Sequence, residues 1–146
     1  MSLNPTIPGY IYGTAAVQRA SISMEEFELL KKTVLFGEDD VKALQQSKAV
    51  VTVHVEAILD VWYGFVGSNP HLVSTFVRLS DGQPDMEYLE AVRKRFGQWI
   101  LDTAGATYDQ AWLDYQFEIG RRHHRVGKNT TDKVATAPHI PFRYLP

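Results

Sequence analysis

The stretch that decides the fold class spans residues 108–125 and reads YDQAWLDYQFEIGRRHHR. Asp109 stands near its start and a cationic cluster stands at its end, which is the charge order that the helix macrodipole favours. Trp112, Tyr115 and Ile119 recur at helical spacing and form one apolar stripe. The segment therefore predicts an amphipathic α-helix from Tyr108 to about Arg125.

His123 continues this apolar stripe. At about 100° per residue, the step from Trp112 to His123 is close to a whole number of turns, and Ile119 lies one turn before His123. His124 is rotated by about 100° toward the polar side. A neutral, desolvated imidazole on an apolar stripe fits a single axial haem ligand. A histidine packed in the core fits the same pattern, so both interpretations stay open.

The rest of the chain also shows helical periodicity. Ser23 and Glu26 have the capping-box pattern before a predicted helix from Met24 to Phe36, which Gly37 ends. Other segments predicted to be helical or turn-like are a long helix from Asp39 or Asp40 to about Val66, a short apolar turn over 72–77, and a helix from Met86 to about Thr103. We therefore predict an all-α fold.

The composition indicates one domain over residues 1–146, with an irregular lead-in over 1–22 and a helical body over 23–146. The chain has 45% apolar residues, no cysteine and a net charge of −2. These values exclude disulfides and thiolate metal sites, and they argue against a nucleic-acid partner. No signal peptide is visible, and charged residues interrupt the apolar stretch 49–67. We expect a cytoplasmic protein without a membrane-spanning segment.

Motif searches find no zinc-protease histidine spacing, no phosphate-binding glycine loop and no Gly-x-Ser-x-Gly elbow. Aromatic residues cluster instead: Trp62 and Tyr63 end the long second helix, and Phe96 lies on the apolar face of a later one. Such faces enclose a flat macrocycle or form an ordinary core. The cluster 121–125 with Lys128 fits a cationic helix end better than a phosphate site.

Several motifs together make the chain resemble protoglobins along almost its whole length. The motifs are IPGYIYG (7–13), LDVWYGFVGS (59–68), YLEAVRKRF (88–96), WILDT (99–103), YDQAWLDYQ (108–116), EIGRRHHR (118–125) and IPFRYL (140–145). The resemblance implies a globin-like helical fold with an N-terminal extension and an extra N-terminal helix. It also implies binding of haem b, an iron protoporphyrin IX, and of dioxygen, carbon monoxide and nitric oxide at pentacoordinate iron.

The resemblance also implies roles for individual residues. His123 would be the proximal iron ligand, Trp62 and Tyr63 would lie on the distal side, and Phe96 would lie against the haem. Val92 and Ile119, on the same helix faces as Phe96 and His123, complete the predicted haem contacts. The lead-in from Pro8 to Gly13 would help to bury the haem, and no catalytic residue is assigned.

One departure from the family is expected at the C-terminus. In protoglobins, two further long helices follow the proline-punctuated stretch, complete the haem pocket and form much of the homodimer interface. This chain stops at Pro146, so we expect a C-terminally incomplete fold, with haem retention and ordinary dimerisation left open. Gas sensing, scavenging or storage is the favoured function. A haem enzyme acting on nitric oxide or peroxide and a haem-free helical interaction module are the alternatives.

Overall fold

The computed structural model describes residues 7–144, and the first six residues of the expected lead-in lie outside the described residues, as does Leu145 of the last motif. The helices are α1 (Met24–Thr33), α2 (Glu38–Gly67), α3 (Pro70–Val73), α4 (Met86–Gly105) and α5 (Gln110–His123), with 3-10 turns at Ser74–Phe76 and Phe142–Tyr144. Over these described residues the fold is all-α, and a single β-bridge joins Val77 to Pro84. The predicted fold class is confirmed.

Side-chain caps explain where the helices begin. The amide of Glu26 donates to the Ser23 hydroxyl, and the Ser23 amide donates to the Glu26 carboxylate, so the predicted capping box is present. Asp85 and Asp109 accept hydrogen bonds from backbone amides in the first turns of α4 and α5. The helix starts are therefore encoded locally in the sequence.

The bounds of α1 and α5 differ from the prediction, and α5 begins at Gln110 rather than at Tyr108 because Asp109 caps it. Helix α1 ends at Thr33 rather than Phe36, because the chain leaves the helical conformation and Leu35 takes a φ of 58°. Gly37 then precedes the first turn of α2 and donates its amide to the Asp40 carboxylate. Helix α5 ends at His123 rather than at Arg125, since His124 has an extended backbone.

Helices α2 and α4 pack together at a glycine. A Cβ atom at Gly97 would lie 3.1 Å from Cδ1 of Leu59, which is a fully buried side chain of α2. Arg93 of α4 reinforces the contact by donating to the carboxylates of Glu56 and Asp60 at 2.8 Å each. The absence of a side chain at Gly97 thus allows a close crossing.

The outer surface of α2 is unusually apolar. Val53, Val61 and Phe65 are 75%, 76% and 53% exposed. Among the described residues, α2 is also the one helix long and apolar enough to span a membrane by length and composition, with a mean hydropathy of 1.5 in its most apolar window. Core helices of soluble proteins meet the same criterion of length and composition.

The lead-in lies against α4 and α5. The Tyr10 hydroxyl donates to the Asp102 carboxylate at 2.6 Å, and the Tyr10 ring packs edge-on against Tyr115 at 5.0 Å. The Arg122 guanidinium donates to the Gly9 carbonyl at 2.7 Å. These contacts connect the N-terminal segment to both α4 and α5.

Candidate haem-binding site

A row of aromatic side chains joins α2, α4 and α5. Trp62 lies edge-on to Phe96 with ring centroids 6.1 Å apart, Phe96 stacks on Trp99 at 5.9 Å, and Trp99 stacks on Trp112 at 6.3 Å. The Trp99 indole also donates to the Gln116 side-chain oxygen at 3.0 Å. The row ties the C-terminal half of α4 to the N-terminal half of α5.

Beyond this contact between the two helices, the apolar face of α4 runs toward the N-terminus of α4, and the apolar face of α5 runs toward the C-terminus of α5. On α4, Phe96 and Val92 lie one and two turns before Trp99 on the same face. On α5, Ile119 and His123 lie further along the face that carries Gln116. The predicted site residues of both helices therefore lie on the faces that the aromatic tie brings together.

The described contacts divide the predicted site residues into two groups. Trp62 is in contact with Phe96, whereas His123 is hydrogen-bonded to Ile119. Within residues 7–144, no hydrogen bond or aromatic contact joins one group to the other. The structure thus brings Trp62 next to Phe96 and, separately, His123 next to Ile119.

The imidazole of His123 is held in one tautomer. Its Nδ1 lies 2.7 Å from the Ile119 carbonyl oxygen. Because a carbonyl only accepts hydrogen bonds, Nδ1 carries the proton of the neutral ring and Nε2 keeps a free lone pair. A ring N–H bonded to a backbone carbonyl is the usual second interaction of a metal-ligating histidine. The lone pair on Nε2 of His123 is therefore available to bind a metal.

The donor set suits a haem iron better than a free metal ion. In the part of the chain that the structure describes, no three His, Asp or Glu side chains are grouped so that they could hold a metal ion. A porphyrin supplies its own four nitrogen ligands, so a haem iron requires a single axial ligand from a globin. One oriented imidazole meets that requirement.

Tyr63 lies on the face of α2 that packs toward α4. The Arg93 guanidinium lies over its ring, 5.7 Å from the centroid. Burial raises the pKa of the Tyr63 phenol to about 12, although the nearby Arg93 and Arg95 partly offset this effect. The hydroxyl therefore stays protonated at neutral pH and can donate a hydrogen bond.

Gln116 is a site residue that the sequence analysis did not identify. Its oxygen accepts the Trp99 bond, but its Nε2 is buried with no hydrogen-bond partner among the described residues. A buried N–H without a partner is costly and is normally satisfied by a ligand or a water molecule. Its position seven residues before His123, hence on the same helix face, is the signal that could have identified it.

The cationic residues near the end of α5 are engaged in the fold. Arg122 pairs with Glu118 at 2.9 Å and also bonds Gly9, and Lys128 is buried. These contacts support the interpretation of a structural helix end. His71 packs its ring edge-on against Tyr144 at 5.1 Å.

Comparison with known proteins gives one family. The sequence model of the family described as Protoglobin matches residues 23–144, which is most of the chain. The comparison with curated proteins finds no match.

Proposed function

Because the chain belongs to the protoglobin family, we propose that it binds haem b and, at the haem iron, reversibly binds dioxygen, carbon monoxide or nitric oxide. The family is one of globin-type haem-binding proteins. The observation that carries the proposal is the 2.7 Å contact between His123 Nδ1 and the Ile119 carbonyl, since it leaves Nε2 free for iron. Sensing, scavenging or storage of a gas in the cytoplasm is the biological role that this chemistry supports.

When bound, the haem supplies an iron coordination position that takes a diatomic gas. The chain's own residues have simpler tasks. His123 would hold the iron from one side, while Ile119 and Val92 would provide apolar contacts. Trp62 and Phe96 would cover the opposite side and exclude water, and Tyr63 would keep its proton there as a hydrogen-bond donor.

Reconstitution with haem tests the proposed function. The purified full chain is titrated with haem, and the absorption spectrum is recorded in the ferric state, in the ferrous state and with carbon monoxide. We expect saturable uptake of about one haem per chain and a Soret band that shifts when carbon monoxide is added. Uptake without saturation, or a ferrous spectrum that carbon monoxide does not change, would contradict the proposal.

A substitution at Tyr63 tests the distal side. Tyr63→Phe removes the hydroxyl, and a hydrogen bond to a polar ligand is worth about 1 kcal/mol. We therefore expect dioxygen to dissociate roughly five- to tenfold faster. Carbon monoxide is a poorer acceptor, so its dissociation rate is expected to change much less. Stopped-flow ligand exchange measures both rates, and Tyr108→Phe, in the loop before α5, is the control that leaves both unchanged.

A further inference from the structure

Lys128 is a cation buried without a carboxylate partner. Its residue is 3% exposed, and its Nζ donates to the Thr75 carbonyl and to the Thr136 hydroxyl at 2.8 Å each. The ammonium group also lies 5.2 Å from the ring centroid of Tyr88 and 5.9 Å from that of Phe76. Burying a charge in this way is costly unless every donor is satisfied. A buried lysine at this position therefore indicates that its ammonium group has a structural role.

The buried amine joins three parts of the fold. Thr75 belongs to the 3-10 turn after α3, Tyr88 belongs to α4, and Thr136 lies in the segment after α5. The Thr136 hydroxyl donates to the Asn129 side-chain oxygen at 2.8 Å, and the Asn129 amide donates back to the Thr136 carbonyl at 2.9 Å. We call Lys128, Thr75, Thr136, Tyr88 and Asn129 the Lys128 clamp.

The segment that follows α5 is hydrogen-bonded to the end of this helix through residues near both of its own ends. The Lys128 amide donates to the His124 carbonyl at 3.0 Å, and the Ile140 amide donates to the His123 carbonyl at 2.9 Å. Gly127 allows the tight exit, because a Cβ there would lie 2.7 Å from the Arg121 carbonyl oxygen. The segment thus forms a closed loop whose base holds the end of α5.

We propose that Lys128 is a positioning residue, whose buried ammonium group anchors the segment from 124 to 140 and thereby holds the end of α5 that carries His123. The anchor keeps Ile140 hydrogen-bonded to the His123 carbonyl, one of the terminal carbonyls that an α-helix cannot satisfy internally. Without it, the last turn of α5 would fray and the imidazole would sample several orientations. The consequence for iron rests on the proposed role of His123 as the haem ligand.

The pH dependence of stability tests the buried charge. Burial lowers the pKa of Lys128 from 10.5 to about 8, with no charged neighbour contributing to the shift. The titratable group that faces the Lys128 ammonium is Tyr88, which stays neutral because burial raises its pKa to about 12. The Asp132–Arg95 ion pair and Asp85 lie beyond Tyr88. Above about pH 8 the unfolded chain binds more protons than the folded chain, so stability rises with pH. Relative to Lys128→Met, the wild-type unfolding constant should fall roughly 25-fold between pH 7 and pH 9.5.

Two measurements on Lys128→Met then test the positioning role. In amide hydrogen exchange without haem, we expect Ile140 to exchange at least about tenfold faster, while amides at the centre of α4 change little. Lys42→Met, at an exposed lysine of α2, is the control that leaves Ile140 unchanged. If Lys128→Met does not fold, Thr136→Val removes one acceptor and is expected to give a smaller increase at Ile140. Unchanged exchange at Ile140 in the folded variant would overturn the proposal.

The second measurement uses the ferrous haem-loaded protein. Lys128→Met is expected to shift or broaden the iron–histidine stretching band in the resonance Raman spectrum, and Lys42→Met is not. A band that stays identical while Ile140 exchanges faster would overturn the link from the clamp to the imidazole. If the wild-type protein shows no iron–histidine band, the proposed ligand role of His123 is wrong, whereas faster exchange at Ile140 still supports the anchoring of α5.

Discussion

His123→Gly is expected to lower the affinity of the chain for haem by at least about 100-fold, and added imidazole is expected to restore the ligated spectrum. The physical reason is the loss of the side chain that we propose as the iron ligand. Its neighbour His124 is rotated away and lies past the end of the helix, so it cannot replace Nε2 of His123. Imidazole fills the space that the missing side chain leaves and supplies the same nitrogen.

The measurement is a haem titration followed by absorbance, with and without imidazole. His124→Gly is the matched control, because it removes an exposed histidine one residue along the chain. It should bind haem as the wild type does. If His123→Gly keeps the wild-type ferrous and carbon monoxide spectra without imidazole, another residue is the ligand.

Asp132→Asn is expected to destabilise the fold by about 3 kcal/mol. The Asp132 carboxylate accepts two hydrogen bonds from Arg95, at 2.9 and 2.6 Å, and the two side chains are only 17% and 11% exposed. Arg95 also donates to the Pro8 carbonyl at 3.2 Å, so one guanidinium connects α4, the segment after α5 and the lead-in. The asparagine would leave a largely buried positive charge without a counter-charge.

Urea denaturation followed by far-ultraviolet circular dichroism measures this loss. The control is Asp81→Asn, which removes a carboxylate from an exposed ion pair with Arg78, and its unfolding midpoint should stay close to that of the wild type. The double variant Arg95→Met with Asp132→Leu removes both charges and should recover part of the lost stability. A midpoint for Asp132→Asn equal to the wild-type value would show that the pair contributes nothing.

Local chemistry made much of the fold predictable. The Ser23 capping box and Asp109 act within a few residues, so the pattern alone indicates where α1 begins and predicts the start of α5 to within two residues. Helical phase likewise predicted that His123 lies on the apolar face of its helix. The ends of helices were less predictable, because the end of α5 depends on Ile140, which is distant in sequence.

The burial of individual side chains depends on long-range contacts, which the local sequence pattern does not indicate. In the sequence, Lys128 belongs to a cationic cluster, and nothing near it indicates that the Thr75 carbonyl will accept a hydrogen bond from its ammonium group. In α2, Ile58 and Trp62 lie four residues apart and so share one apolar face of the helix, yet these residues are 40% and 39% exposed. Periodicity shows that a face exists, but the surrounding chain determines whether that face is buried.

The close crossing at Gly97 makes the contact between α2 and α4 sensitive to a substitution at this one position. Gly97 follows Phe96 directly, and Leu59, which it meets, lies one turn before Trp62 and Tyr63. A Cβ at Gly97 would lie 3.1 Å from Cδ1 of Leu59, so Gly97→Ala requires the Leu59 side chain or the two helices to shift by a few tenths of an ångström. The packing beside Phe96 and Trp62 thus depends on a residue that contributes no side chain to it.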